Sequence, residues 1–126
     1  MAARLLVTDD NADMRESMRL LLERAGYRVV LAENGSHAVE LQQRQAADVL
    51  ITDIFMPETD GLETIERFRR EFPHVRIVAM SGGGVRVSGA GNYLQTAAAA
   101  GADAVLEKPF ETGALLDILR GLVPAA

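Results

Sequence analysis

Five side chains in this sequence could do chemistry together: Asp9 and Asp10 in "LLVTDDN", Asp53 in "VLITDIF", Ser81 in "IVAMSGG" and Lys108 in "VLEKPF". Each follows a short apolar run, which puts it at the carboxyl end of a buried strand. Three carboxylates gathered on one rim repel one another and raise at least one pKa, unless a cation neutralises them. A hard divalent ion such as Mg²⁺ suits them, because it takes oxygen ligands octahedrally and keeps waters, leaving places open for a phosphoryl group. A lysine and a hydroxyl on the far side could hold the remaining phosphoryl oxygens by point charge and hydrogen bonding. The set therefore points to phosphoryl transfer with an aspartate as acceptor.

Whether the five meet depends on the elements that carry them. Leu5 to Thr8 reads as a strand. Met14, Met18, Leu21, Leu22 and Ala25 then recur at helical spacing, with Asn11 as N-cap and Gly26 as the stop. "YRVVLAE" is a second strand, followed by a helix over "SHAVELQQRQA" whose apolar Ala38, Val39, Leu41 and Ala46 are only loosely periodic. "ADVLITDIF" is nearly all apolar, as expected of a strand covered on both faces. "GLETIERFRREF" is a helix with Leu62, Ile65 and Phe68 inward, and "VRIVAMS" is a fourth strand. An Ala-rich helix near 93–100, a strand in "DAVLEKPF" and a helix in "TGALLDILRGLV" complete five strands alternating with five helices.

Such alternation implies a parallel sheet with right-handed crossovers and helices on both faces. The expected architecture is a flavodoxin-like doubly wound (βα)5 sandwich of the α/β class, with strand order 2-1-3-4-5. In that order the first and third strands are neighbours where the winding reverses, and ligands bind just beyond the carboxyl ends there. Asp9, Asp10 and Asp53 sit at that place, with Ser81 and Lys108 on the strand ends beside it. Taken singly, the aspartates and Ser81 are ordinary turn or strand-end residues, whereas a lysine between a buried run and Pro-Phe has little structural reason to be there. Convergence of all of them on one rim is what favours a site. His37 and His74 lie in a helix and a loop without ligand spacing and read as solvated side chains.

Composition bounds the alternatives. A chain of 126 residues, 48% hydrophobic, suits one domain with one core. It has no cysteine and begins without a long apolar h-region, so a disulfide framework, a Cys-ligated metal and a secretory signal are all absent and a cytoplasmic setting is expected. No apolar run approaches the ~18 residues needed to cross a bilayer. A formal charge of −5 argues against a phosphate-backbone footprint, so neither membrane nor nucleic acid is an expected direct partner.

From "LLVTDDN" through "VLITDIFMPETDGLE" and "IVAMSGG" to "VLEKPF", the chain resembles the receiver domain of bacterial two-component response regulators, over essentially its whole length. The resemblance implies a receiver domain over 1–126. Because no linker or helix-turn-helix pattern follows the last helix, which runs out at "GLVPAA", a stand-alone receiver with no output domain in this chain is the expectation, with a piece of a longer protein as the alternative. It makes Asp53 the phosphoacceptor, taking a phosphoryl group from a phosphohistidine on a histidine kinase or histidine phosphotransferase. It implies that Asp10, Asp53 and the backbone carbonyl of Phe55 bind Mg²⁺ directly, with Asp9 holding the ion through water. Ser81 and Lys108 would contact the phosphoryl oxygens, Pro57 and Gly61 would shape the loop after the acceptor, and the Lys108–Pro109 bond would be cis. Such a domain catalyses its own phosphorylation and dephosphorylation and is not otherwise an enzyme. Asn11, Met14, Arg15 and Met18 would face the phosphodonor.

Two departures bear on signalling. Val105 stands where many members carry a Tyr or Phe that turns inward on phosphorylation, which leaves Tyr93 as a substitute aromatic. The stretch after Ser81 is Gly-rich over 82–91 and a few residues longer than is typical. Both touch the fourth helix, fifth strand and fifth helix, the family's usual face for a downstream protein target.

Rival readings fit less well. Gly84 to Gly89 has the span of a phosphate loop but is followed by Ala90 and not by lysine. A haloacid dehalogenase type of aspartyl phosphatase resembles D-x-D after the first strand, whereas here Asp53 sits on the third and Phe55 replaces the second acid. A pseudo-receiver that binds partners without phosphorylation would have lost the acceptor, the acid pair or the lysine, and none is lost.

Overall fold

The computed structural model describes residues 2–54, 61–81, 97–108 and 110–123. Its strands are β1 (Arg4–Thr8), β2 (Arg28–Ala32), β3 (Val49–Asp53), β4 (Arg76–Ser81) and β5 (Ala104–Glu107). They form one sheet in the order β2-β1-β3-β4-β5, with every pairing parallel. The helices are α1 (Ala12–Arg24), α2 (Gly35–Arg44), α3 (Gly61–Glu71), a helical turn over 97–100 (α4) and α5 (Thr112–Leu122). This is the doubly wound arrangement expected from the alternation, and its reversal lies between β1 and β3.

The strand period of two divides the core. Leu5, Val7, Val49, Ile51, Val78 and Met80 pack on one face with Met18 and Leu22 of α1 and Leu115 and Leu119 of α5. On the other face, Leu6, Leu50, Ile77 and Ala79 pack with Ala38 and Val39 of α2 and with Ile65 and Phe68 of α3. All five residues of β3 are buried, which is why its sequence is apolar throughout except at its end. Phe68 is fully buried and meets Phe72 at a centroid distance of 5.1 Å and a tilt of 55°. Burial of one such side chain stabilises the fold by about 1.5–3 kcal/mol.

Helix ends follow local chemistry. Asn11 Oδ1 accepts the Met14 N–H at 3.0 Å, capping α1 as its sequence position suggested. Gly26 adopts φ +100°, which lets the Tyr27 N–H reach back to Leu22 O at 3.2 Å and close the helix. Gly101 ends α4 in the same way at φ +125°, with Ala102 N–H bonded to Ala97 O at 3.0 Å.

The loose period of α2 has a specific cause. Gln42 takes a buried place on the helix, donating to Ala47 O at 3.3 Å and accepting the Ala47 N–H at 2.9 Å. The helix ends at Arg44, because Gln45 turns to extended backbone at φ −141°. Ala46 therefore lies outside the helix expected over "SHAVELQQRQA" and is exposed, while Leu41 is half-buried and packs against the core on that face.

Candidate functional site

The sheet delivers three acids to one point. Asp53 is the last residue of β3 and is buried; Asp9 directly follows β1 and is 1% exposed; Asp10, next in the chain, is exposed. One carboxylate oxygen from each lies within 4.8 Å of the others. An all-oxygen donor set of this charge fits a hard divalent cation and would suit a soft one poorly.

Lys108, just past β5, spans the same point. Its Nζ lies 2.7 Å from Asp9 Oδ2 and 3.4 Å from Asp53 Oδ2. Burial pushes its pKa down, but the hydrogen bond to Asp9 and the charges of Asp53 and Asp9 outweigh it and hold the ammonium above its ordinary value. Lys108 is also the only lysine in the sequence. Asp9 is held twice, since its Oδ1 accepts the Asn11 N–H at 2.9 Å. The Asp10 carboxylate has no hydrogen-bond or ion-pair partner among the described residues.

Other sequence expectations meet mixed results. Ser81 ends β4 opposite Glu107, which places its backbone at the rim; its side chain lies outside what the structure describes. Phe55, Pro57, Tyr93, Pro109 and the stretch 82–91 also lie outside the described residues. Met18, expected to face a donor, is 3% exposed and belongs to the core under α1, because its helical stripe continues into Leu22. His37 is half-buried and accepts the Glu33 N–H at 3.3 Å, whereas His74 is exposed as expected. Val105 is half-buried against the core that includes Ala97.

Three contacts were not read from the sequence. The Thr52 hydroxyl donates to Asp53 O at 3.0 Å. Arg15 Nη1 donates to Asp9 O at 2.6 Å, a bond to the site's own main chain that its expected place facing the phosphodonor did not announce. Gly61 packs so close to β3 that an added Cβ would collide with the Asp53 carbonyl oxygen.

The acids outnumber their one ammonium, so the metal-free site carries net repulsion. Asp10→Asn and Asp53→Asn should each raise the melting temperature of the metal-free protein by a few degrees, on the order of 1 kcal/mol. Thermal melts in EDTA test this, and unchanged or lower melting in both variants would count against it.

Residues 5–120 match the family model described as the response regulator receiver domain. The chain belongs to the response regulator receiver family. Its relatives include the response regulator MprA of Mycobacterium ulcerans, 36% identical over 126 residues that make up 98% of this chain and 51% of that protein. MprA of Mycobacterium leprae is 37% identical over 123 residues, 95% of this chain and 50% of that one. The receiver thus spans about half the length of the curated relatives it matches. Among solved structures, Vibrio cholerae chemotaxis protein CheY4 superposes with a TM-score of 0.85 at 28% identity, covering 98% of this chain and 100% of that one. Receivers bind Mg²⁺ as a family, and Asp9, Asp10 and Asp53 could hold a metal. Among the described residues no helix is long and apolar enough to cross a membrane.

Proposed function

We propose that this receiver takes a phosphoryl group from a phosphohistidine on a histidine kinase or histidine phosphotransferase onto Asp53. A P–O bond to the Asp53 carboxylate forms as the donor's P–N bond breaks, and the imidazole leaves with the electron pair and gains a proton from water. Asp10, Asp53 and the Phe55 carbonyl would hold Mg²⁺ directly, and Asp9 would hold it through water. When bound, the ion supplies positive charge against the phosphoryl oxygens. Both Asp9 oxygens already have partners and the Asp10 carboxylate has none among the described residues, which suits Asp9 to an outer role and Asp10 to a direct one. Lys108, poised between Asp9 and Asp53, pairs with a phosphoryl oxygen as charge builds there, and Ser81 donates to another.

The observation that carries this reading is a buried acceptor with two further carboxylates within 4.8 Å and an ammonium on two of the three, at the reversal of the winding. The donor would approach over α1, whose Asn11, Met14 and Arg15 border the site. Between α1 and α5 lies a groove of about 580 Å³ lined by Leu20, Leu21, Ala25, Thr112 and Leu116, with Leu20 52% exposed. An amphipathic helix of the donor could bury its apolar stripe there. Output would pass through α4, β5 and α5 to a protein target, in a bacterial cytoplasm, with Val105 and not an aromatic in the usual switch place.

Intact mass after incubation with Mg²⁺ and acetyl phosphate tests the proposal. One added phosphate on the wild type, absent from Asp53→Ala and absent in EDTA, is the expected result. No adduct, together with no accelerated phosphate release from the donor, would turn the reading to a pseudo-receiver that works by binding alone.

A further inference from the structure

The Arg15 contact has a geometry that matters for the acids. The Asp9 carbonyl oxygen, which Arg15 Nη1 engages at 2.6 Å, belongs to the peptide between Asp9 and Asp10. Because that unit is planar, holding its oxygen fixes the last backbone torsion of Asp9 and the first of Asp10 together. Those torsions aim both carboxylates. Asp9 has further restraints through Asn11 and Lys108, but the Asp10 side chain has none among the described residues, so its direction rests on its backbone.

Local helix physics does not ask for this contact. Arg15 lies in the first turn of α1, where the helix dipole disfavours a cation. It is half-buried and, although three carboxylates stand at the rim, it forms no salt bridge among the described residues. Its bond goes to the main chain.

We infer that Arg15 is a positioning residue for the cation site, clamping the Asp9–Asp10 peptide so that the Asp10 carboxylate converges with Asp9 and Asp53 on one ion. This rests on the reading that the three acids hold Mg²⁺. Two effects of removing the guanidinium oppose each other. Loss of a nearby positive charge should tighten Mg²⁺ binding, but at a half-exposed side chain this effect is screened by salt. Loss of the clamp should weaken binding, since supports behind metal-binding carboxylates are commonly worth about tenfold or more in affinity. The clamp is the larger of the two.

Calorimetric titration of the whole chain with Mg²⁺, at low and high salt, separates them. Arg15→Met should weaken Mg²⁺ binding about tenfold, with little dependence on salt. Arg19→Met is the control: it removes the same charge from the same helix, where Arg19 pairs, among the described residues, with Glu16 and Glu23 alone, and should leave Mg²⁺ affinity unchanged. At saturating Mg²⁺, phosphorylation of Arg15→Met by acetyl phosphate should return to within about twofold of the wild type, which a general loss of structure would not allow. If Arg15→Met is too unstable to titrate, Arg15→Gln, which retains a donor, serves with a smaller expected loss. Mg²⁺ binding by the wild type with equal or tighter binding by the Arg15 variant would overturn the clamp alone. Absence of Mg²⁺ binding by the wild type would overturn the reading of the site, and the clamp with it.

Discussion

Gly61→Ala should lower the melting temperature by roughly 15 °C, corresponding to about 4 kcal/mol or more of lost stability. An alanine Cβ at Gly61 would collide with the Asp53 carbonyl oxygen and lie 2.5 Å from Ile54 Cα and 2.7 Å from Ile54 O. All three atoms are main chain of β3 or the residue after it. Side chains could swing aside, but here the first turn of α3 would have to lift off the central strand. That turn is tied down by the Gly61 N–H bond to Ile54 O at 3.0 Å, and Ile54 is itself fixed by its N–H bond to Met80 O at 2.8 Å. The shift would also open the packing of Ile65 and Phe68. Because the strained atoms include the carbonyl of Asp53, the proposed acceptor, Mg²⁺-dependent phosphorylation should fall with stability. A Gly61→Ala protein that melts within a few degrees of the wild type would show that α3 can move without cost.

Lys108→Met should destabilise the metal-free protein by about 2–3 kcal/mol, or roughly 10 °C. The Asp9 side chain is 1% exposed and, among the described residues, its carboxylate would keep only the bond from the Asn11 N–H, with Asp53 and Asp10 close by and no ammonium between them. Mg²⁺ can replace the missing ammonium, so the variant should gain more stability from the ion than the wild type does. At about a hundred times its Kd, a ligand specific for the folded state contributes about 2.7 kcal/mol. The pH dependence has a definite sign. A lysine whose folded pKa is raised contributes stability that is fully present below its unfolded value of about 10.4 and is lost as the pH rises through the folded value. The melting gap between wild type and variant should therefore hold from neutral pH to about pH 10 and close above it. Equal destabilisation with and without Mg²⁺ would argue that Lys108 acts by packing and not by charge.

Much of this was legible before any coordinates, for reasons that differ from residue to residue. Strand positions were clear because β3 is covered on both faces, which favours an apolar run, Val49 to Ile51, that gives way to Thr52 and Asp53 at the strand's end. Helix α1 announced its limits through Asn11 and Gly26, residues chosen by main-chain hydrogen bonding and by a positive φ. The convergence of Asp9, Asp10, Asp53 and Lys108 followed from topology, since parallel strands present their carboxyl ends on one edge. Where sequence reasoning failed, tertiary partners decided. Met18 looks like a rim residue until Leu22 and α5 claim its stripe for the core. Gln42 breaks the α2 pattern because its amide answers the Ala47 main chain. Arg15, like any long arginine side chain, has several possible partners, and nothing in its neighbours' identities selects a carbonyl six residues back.

The single ε-amine of the chain, at Lys108, makes the site spectroscopically isolated. A sample grown with isotope-labelled lysine would carry one side-chain ammonium signal, from a group lying between Asp9 and Asp53. Titration with Mg²⁺, phosphodonor or partner would then be read from one resonance without assignment of the rest. The same isolation warns the experimenter: amine-directed dyes, cross-linkers and immobilisation surfaces have only this side chain and the amino terminus to react with, and any reagent that reaches Lys108 lands on the centre of the site.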